Sequence, residues 1–364
     1  MHDGYGEAGR RVGRMLEQSD IAHYLLSLGL VKPRDVVEED LTVVDASRRN
    51  SVFLASTRAG PTYVVKQASP RTATTLAHEA AVLRALERSE LAGTVPAVVY
   101  HEPEEARLVL RTPARARDWT EQHGTGRFPR APARILGRVL AMLHRLPTDR
   151  VEELPADFDR MWGLTLPEPS RELLLGLSVG AQDLVGRLQA SGAMCARLNE
   201  LRQSNSDRAI VHGDLRWDNC LAVAAPGAWR RTRLLIVDWE LAGPGATGFD
   251  VGTVLAEYMR IWVGSIPIVE PSNPGRLVAH ARHPLRHMQP AIHAFWAAYR
   301  HACPDEPALR GVIELAAVRL LQTAVERAQG MPTATAHVIT LLQLADNMLR
   351  DPEDAAVRLL GLRR

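Results

Sequence analysis

The segment Val211-His212-Gly213-Asp214-Leu215-Arg216-Trp217-Asp218-Asn219, and Leu234-Leu235-Ile236-Val237-Asp238-Trp239-Glu240 after it, hold the residues best suited to chemistry. Phosphoryl transfer to a hydroxyl needs one carboxylate that accepts or orients the hydroxyl proton. It also needs an amide and a second carboxylate that hold magnesium on the phosphates. Asp214 and Asn219 stand five residues apart on one loop, and Asp238 ends a later apolar run, as that chemistry demands. At near-average residue frequencies, H-G-D-x-x-x-x-N alone occurs in on the order of one random chain in a thousand. Arg216, two residues after Asp214, offers a cation to the transferring phosphate. Lys66 closes a V-V-K run, and Glu79 follows thirteen residues later on a helical stretch, in phase with Leu76 and Leu83. A Lys–Glu pair of this kind orients an ammonium toward α- and β-phosphates.

Other patterns carry less. Only Lys32 and Lys66 among the 44 Lys plus Arg are lysine, and valine precedes both, which excludes a G-x-x-x-x-G-K-[ST] phosphate loop. Gly4, Gly6 and Gly9 spell G-x-G-x-x-G, but no strand precedes them, so a flexible tail is expected over 1–19. Gly176-Leu177-Ser178-Val179-Gly180 matches a serine-hydrolase elbow, with Ser178 as nucleophile. The competing reading is a turn between helices, with Ser178 capping the second. The 13 histidines include no H-E-x-x-H, so no zinc site is expected. Cys195, Cys220 and Cys303 are scattered, which points to a reducing, cytoplasmic setting. A net charge of +2 argues against a nucleic-acid partner, and no apolar run is long enough for a membrane span.

The elements that position these residues follow from periodicity. Residues 41–47, 50–57, 62–67, 95–100 and 107–111 read as strands, and 72–89 as a helix. They make a small nucleotide-binding lobe over 20–112, with a hinge at Thr112-Pro113. Beyond it, 133–146, 181–201, 249–262, 307–329 and 335–349 carry helical spacing, while 209–211, 219–223 and 233–238 read as strands. A mainly helical lobe over 113–364, holding the catalytic loop and acceptor site, is expected. The fold class is α+β.

With these motifs in order, the chain resembles the aminoglycoside phosphotransferase-like family and its choline kinase-like relatives, over about residues 20–330. The resemblance rests on His78-Glu79-Ala80-Ala81-Val82-Leu83, Leu143-His144, HGDLRWDN, and VDWE followed by Gly248-Phe249-Asp250. It implies a two-lobed protein-kinase-like fold with a five-stranded N-lobe, ATP or GTP, Mg2+, and phosphorylation of a hydroxyl. Asp214 then corresponds to the base, Asn219 and Asp238 to metal ligands, and Lys66 with Glu79 to the nucleotide-orienting pair. Asp250 resembles an aspartate that braces the catalytic loop, with His212 as its point of contact. A helix N-terminal residue favoured by the dipole is the alternative.

The sequence departs from that family in places. The first hairpin tip, Ser47-Arg48-Arg49-Asn50-Ser51, has no glycine to let backbone approach phosphate. Arg48 and Arg49 offer charge instead, or are solvated turn residues; Asn50 fits the family's loop position better than either. Trp217-Asp218 replaces a smaller, less acidic pair, and Ala224 to Arg233 reads as an insert lengthening a hairpin. HGDLRWDN also resembles kinase-like proteins of lanthipeptide biosynthesis, which implies a peptide Ser or Thr acceptor and a biosynthetic partner protein. The expected reaction is transfer of a γ-phosphate to a hydroxyl of a small molecule or peptide. A nucleotide-binding pseudokinase is the alternative from a different class.

Overall fold

The structure, a computed structural model, describes residues 15–362 apart from 39, 48–50, 59, 70–71, 115, 149–159, 205–208, 226–227, 268–278, 304 and 306. The chain divides into two compact units. One runs to Ala116 and takes in Val223–Glu240; the other comprises Arg117–Ala222 and Leu241–Arg364. A single cut at the Thr112-Pro113 hinge does not describe this division, because the segment bearing Asp238 returns to the first unit.

The first unit is built on five antiparallel strands: β1 (Thr42–Asp45), β2 (Ser51–Ser56), β3 (Thr62–Gln67), β4 (Ala97–Glu102) and β5 (Arg107–Thr112). Their order is β1-β2-β3-β5-β4. Helices α1 (Ile21–Ser27), α2 (Pro33–Val37) and α3 (Ala73–Glu87) complete it. Ile21 and Leu25, one turn apart on α1, bury against Phe53, Ala55, Val65 and Val109. Those strand residues share one sheet face, since side chains alternate with period two. Lys66 follows Val65 and therefore points to the opposite face. There it is flanked in register by Val52 on β2 and Leu108 on β5. The strands and the helix expected in 41–111 all form.

The second unit opens with the short strand β6 (Arg117–Asp118), which pairs with β8 (Cys220–Ala225) through Arg117–Ala222 and Asp118–Leu221. Strand β7 (Ala209–Val211) pairs with β10 (Gly243–Gly245); β9 (Ala228–Ile236), which belongs to the first unit, leads to Asp238. Helices α4 (Trp119–Gly124), α5 (Arg130–His144), α6 (Arg171–Gly176), α7 (Val179–Gln189) and α8 (Gly192–Ser204) come first. After them come α9 (Thr247–Gly264), α10 (Leu285–Ala302), α11 (Leu309–Ala328), α12 (Ala336–Arg350) and α13 (Pro352–Arg358). The helix expected over 181–201 is two helices, parted at Ala190-Ser191 ahead of Gly192, a composition that breaks helices. Helix α10 adds to the helices expected from periodicity: Met288, Ile292, Phe295 and Tyr299 recur at helical spacing, but Pro290 inside it argues against a helix in the sequence. It packs against α5 where Gly137 removes the obstacle: a Cβ there would strike the Phe295 carbonyl. Within the expected 224–233 insert, the side chains of residues 224–232 lie outside the described residues.

Ser178 does not sit on a hydrolase elbow. Helix α6, not a strand, precedes it; Ser178 caps α7, its Oγ accepting from the Ala181 amide and donating to the Ala328 carbonyl. The Gly4, Gly6, Gly9 pattern lies outside the described residues. Among the described residues no helix is long and apolar enough to cross a membrane.

Candidate active site

In the first unit, Lys66 reaches both Glu79 carboxylate oxygens at 2.8 Å and Asp238 Oδ1 at 2.8 Å. Strand β3 supplies the lysine and α3 the glutamate. Asp238 arrives two residues beyond β9, which is tied in where the Ile236 amide donates to the Thr94 carbonyl at 2.7 Å. Asp238 has φ +66°, a left-handed conformation that Asp tolerates better than most side chains. Next to it, Trp239 is buried; its backbone N–H donates to Glu79 Oε1 at 3.3 Å and its indole to the Ile236 carbonyl. Glu79 is fully buried, while the Asp238 side chain is 36% exposed. Burial works against the Lys66 ammonium, but Glu79 and Asp238 outweigh it and raise its pKa. The lysine stays protonated between two carboxylates, and with both ionised the trio carries one surplus negative charge.

In the second unit, the loop after β7 is held by backbone rather than by charge pairs. Asp250, fully buried in the first turn of α9, accepts from the His212 amide at 2.7 Å and the Gly213 amide at 2.9 Å. His144, at the end of α5, sets Nε2 3.3 Å from the same carboxylate and Nδ1 2.8 Å from the Tyr299 hydroxyl. Burial would raise the Asp250 pKa, but the His144 hydrogen bond and the charge and amide around it hold it below the usual carboxylate value. Bracing therefore runs through amides of the loop, including that of His212, whose ring Nδ1 receives the Asp214 amide at 3.2 Å. Gly213 has φ +81°, and a Cβ there would lie 2.6 Å from Arg160 Cδ and 2.7 Å from the Leu241 carbonyl. Only glycine fits.

Asp214 is thereby presented with its side chain 18% exposed. Arg216 Nε lies 3.1 Å from Oδ2, and Arg319 on α11 places Nη2 3.5 Å from Oδ1. Burial works against the Arg216 guanidinium, but Asp214 and Asp218 raise its pKa. Arg319 is anchored by Glu326 at 3.1 Å. Asn219 donates Nδ2 to the Asp214 carbonyl at 2.9 Å, which leaves Oδ1 uncommitted among the described residues. Trp217, fully buried, explains the unusual loop sequence: it stacks on His123 at 4.0 Å and meets Tyr258 edge-on at 4.6 Å. Its amide donates to Glu257, which is paired with Arg260 at 2.6 Å. Burial drives the His123 pKa down to about 4.

Lys66, Glu79 and Asp238 thus come together in one unit, and His212, Asp214, Arg216, Asn219 and Asp250 in the other. Arg49 and Asn50 lie outside the described residues. Sequence reading missed Arg319, Arg160, Glu257 and the packing role of Trp217. No local signal singled out Arg319, because the α11 row that carries it also carries Gln322 and Glu326.

The family model described as the phosphotransferase enzyme family matches residues 40–312. The chain belongs to this family. It is a phosphotransferase. Among solved structures, it resembles an ethanolamine kinase of Plasmodium vivax (12% identity, 95% of this chain and 98% of that one, TM-score 0.52). It is also similar to an aminoglycoside 2'-phosphotransferase-IIIa solved with GDP (13% identity, 93% and 99%, TM-score 0.55). A third is amicoumacin kinase hAmiN with AMP-PNP and Ca2+ (16% identity, 92% and 94%, TM-score 0.52). At these identities the likeness establishes the kinase-like fold alone. No curated protein matches the chain.

Proposed function

We propose that this phosphotransferase moves the γ-phosphate of a purine nucleoside triphosphate, ATP or GTP, onto a hydroxyl of a small-molecule acceptor. The observation that carries this reading is Lys66 held at 2.8 Å by Glu79 and Asp238. A buried ammonium clamped between two carboxylates, the three groups coming from separate segments, is a costly arrangement for stability alone. It suits an ammonium aimed at phosphate oxygens. The AMP-PNP and GDP of the solved neighbours support the nucleotide assignment.

The donor set fits a hard divalent cation. Asp238 keeps a partly exposed carboxylate beside Lys66, and Asn219 keeps its amide oxygen. Each is proposed as an Mg2+ ligand on the chemistry of its own oxygen, and Mg2+ when bound would neutralise phosphate charge. Asp214 takes the proton from the acceptor hydroxyl as its oxygen attacks phosphorus. Arg216 and Arg319, one on each carboxylate oxygen, fix the rotamer of Asp214. Arg216, the more exposed of the two, carries charge toward the phosphoryl group in flight. The loop beneath them is set by Asp250, so the base is positioned before the acceptor binds.

Single-turnover transfer from γ-labelled ATP or GTP into a panel of amino alcohols, aminoglycosides and Ser/Thr peptides tests this. Asp214→Asn is expected to lower the transfer rate by about 10²–10⁴-fold without loss of nucleotide binding. Undiminished transfer in that variant would remove the base assignment. Label appearing only in peptides would move the acceptor class, and nucleotide binding without transfer to any acceptor would favour the pseudokinase.

A further inference from the structure

A groove of about 620 Å³ in the second unit is lined by Arg130, Arg134 and Arg138 of α5 and by Gln289, His293 and His301 of α10. It contains none of the groups assigned above to phosphoryl transfer. The arginines recur every four residues and so rise about 6 Å at each step along one helix face. Neither helix contains an Asp or Glu (RAPARILGRVLAMLH and LRHMQPAIHAFWAAYRHA), although the chain has 42 acidic residues in 364. Some exposed helical arginines elsewhere are paired one turn away: Arg187 with Asp183, Arg350 with Asp346, Arg358 with Asp354. Arg130, Arg134 and Arg138 have no carboxylate partner among the described residues. Arg130 even occupies the first position of α5, where the helix dipole disfavours a cation. Local stability does not account for this row.

We propose that the α5–α10 groove is a docking site for an acidic helical segment of a partner protein. The guanidinium fork matches carboxylates bidentately, and a helix bearing Asp or Glu every four residues repeats the same rise. Between the charged rows the floor is Ala294, Ala297 and Ala298, small enough for a helix to lie close. The aromatic residues of α10, Phe295, Trp296 and Tyr299, are buried, so no platform exists for stacking nucleic-acid bases. Nor does either helix expose a large apolar side chain of the kind that anchors a helix face in a bilayer. Charge and floor together select an acidic helix.

Fluorescence anisotropy of the full chain with a labelled alanine-based helical peptide carrying Glu at every fourth position tests the site. The Arg130→Glu/Arg134→Glu/Arg138→Glu variant is expected to bind about 30-fold more weakly. A control of equal net charge, Arg34→Glu/Arg171→Glu/Arg202→Glu, is expected to change binding less than about threefold. A peptide with Arg in place of Glu should prefer the groove variant over the wild type, and basal phosphoryl transfer to a small acceptor should be unchanged in both variants. Equal losses in the two variants, or no binding of the acidic peptide to wild type, would overturn the proposal. So would tighter groove-dependent binding of oligo-dT or of phosphatidylserine vesicles.

Discussion

The two constellations proposed to carry the chemistry are built in opposite ways. Around Lys66, three side chains from β3, α3 and the turn after β9 meet by charge, and backbone contributes one amide, that of Trp239. Around Asp214, one buried carboxylate, Asp250, gathers the amides of His212 and Gly213, and the loop after β7 takes its shape from them. The first arrangement depends on the sign and number of charges. The second depends on acceptor geometry and on a glycine that leaves room for Arg160 and Leu241. A site can therefore fail in two distinguishable ways: loss of ligand affinity with the fold intact, or loss of loop shape along with stability.

Asp250→Ala should have the largest effect. It strands two buried amides and the ring of His144, destabilising the second unit by about 3–5 kcal/mol. Thermal unfolding and kcat should fall together. A lower melting temperature with unchanged kcat would mean that the loop holds its shape without Asp250, and the contrast would collapse.

His123→Phe comes next and probes how far packing, rather than charge, supports the loop through Trp217. The His123 pKa lies at about 4, below the unfolded value near 6.5. The unfolded chain thus binds more protons between those pH values, and stability is lost as pH falls from 6.5 toward 4. Over pH 6.5 to 5 the loss amounts to about 2 kcal/mol in wild type. His123→Phe, which keeps a ring against Trp217, should flatten that part of the stability profile in denaturant titrations. An unchanged slope would place the titrating group elsewhere.

Glu79→Gln should have the smallest effect on stability and act mainly on the nucleotide. Removing one of the two carboxylates on Lys66 leaves the fold nearly as stable, because a buried charge goes with it. Nucleotide affinity, read by calorimetry, should weaken about tenfold, or about 1.4 kcal/mol. A drop in melting temperature as large as that of Asp250→Ala would show that the ion pair is a structural strut, and the two constellations would no longer differ in kind.

Much of this was legible in the chain. The H-G-D-x-x-x-x-N spacing, the strand before Asp238 and the thirteen-residue interval from Lys66 to Glu79 are local or nearly local patterns, and each formed where periodicity put it. Arg319, Arg160 and Glu257 were illegible for a physical reason. Their partners lie 105, 81 and 40 residues away along the chain, and no local periodicity encodes such pairings. Trp217 read as a departure from the family because its purpose, filling the space beside His123 and Tyr258, exists only once α4 and α9 pack.

By itself, the sequence determined the residue types available for chemistry and the period-two and period-3.6 patterns that place Lys66 on a strand and Glu79 on a helix. Those patterns arise from backbone geometry acting over a few residues. Tertiary structure alone decided that Asp238 would join Lys66 and Glu79, and that Asp250 would grip the loop by its amides rather than through a side chain. It also decided that Arg130, Arg134 and Arg138 would line one groove. Each outcome depends on segments far apart in the chain being brought together by burial, and burial has no short-range signature.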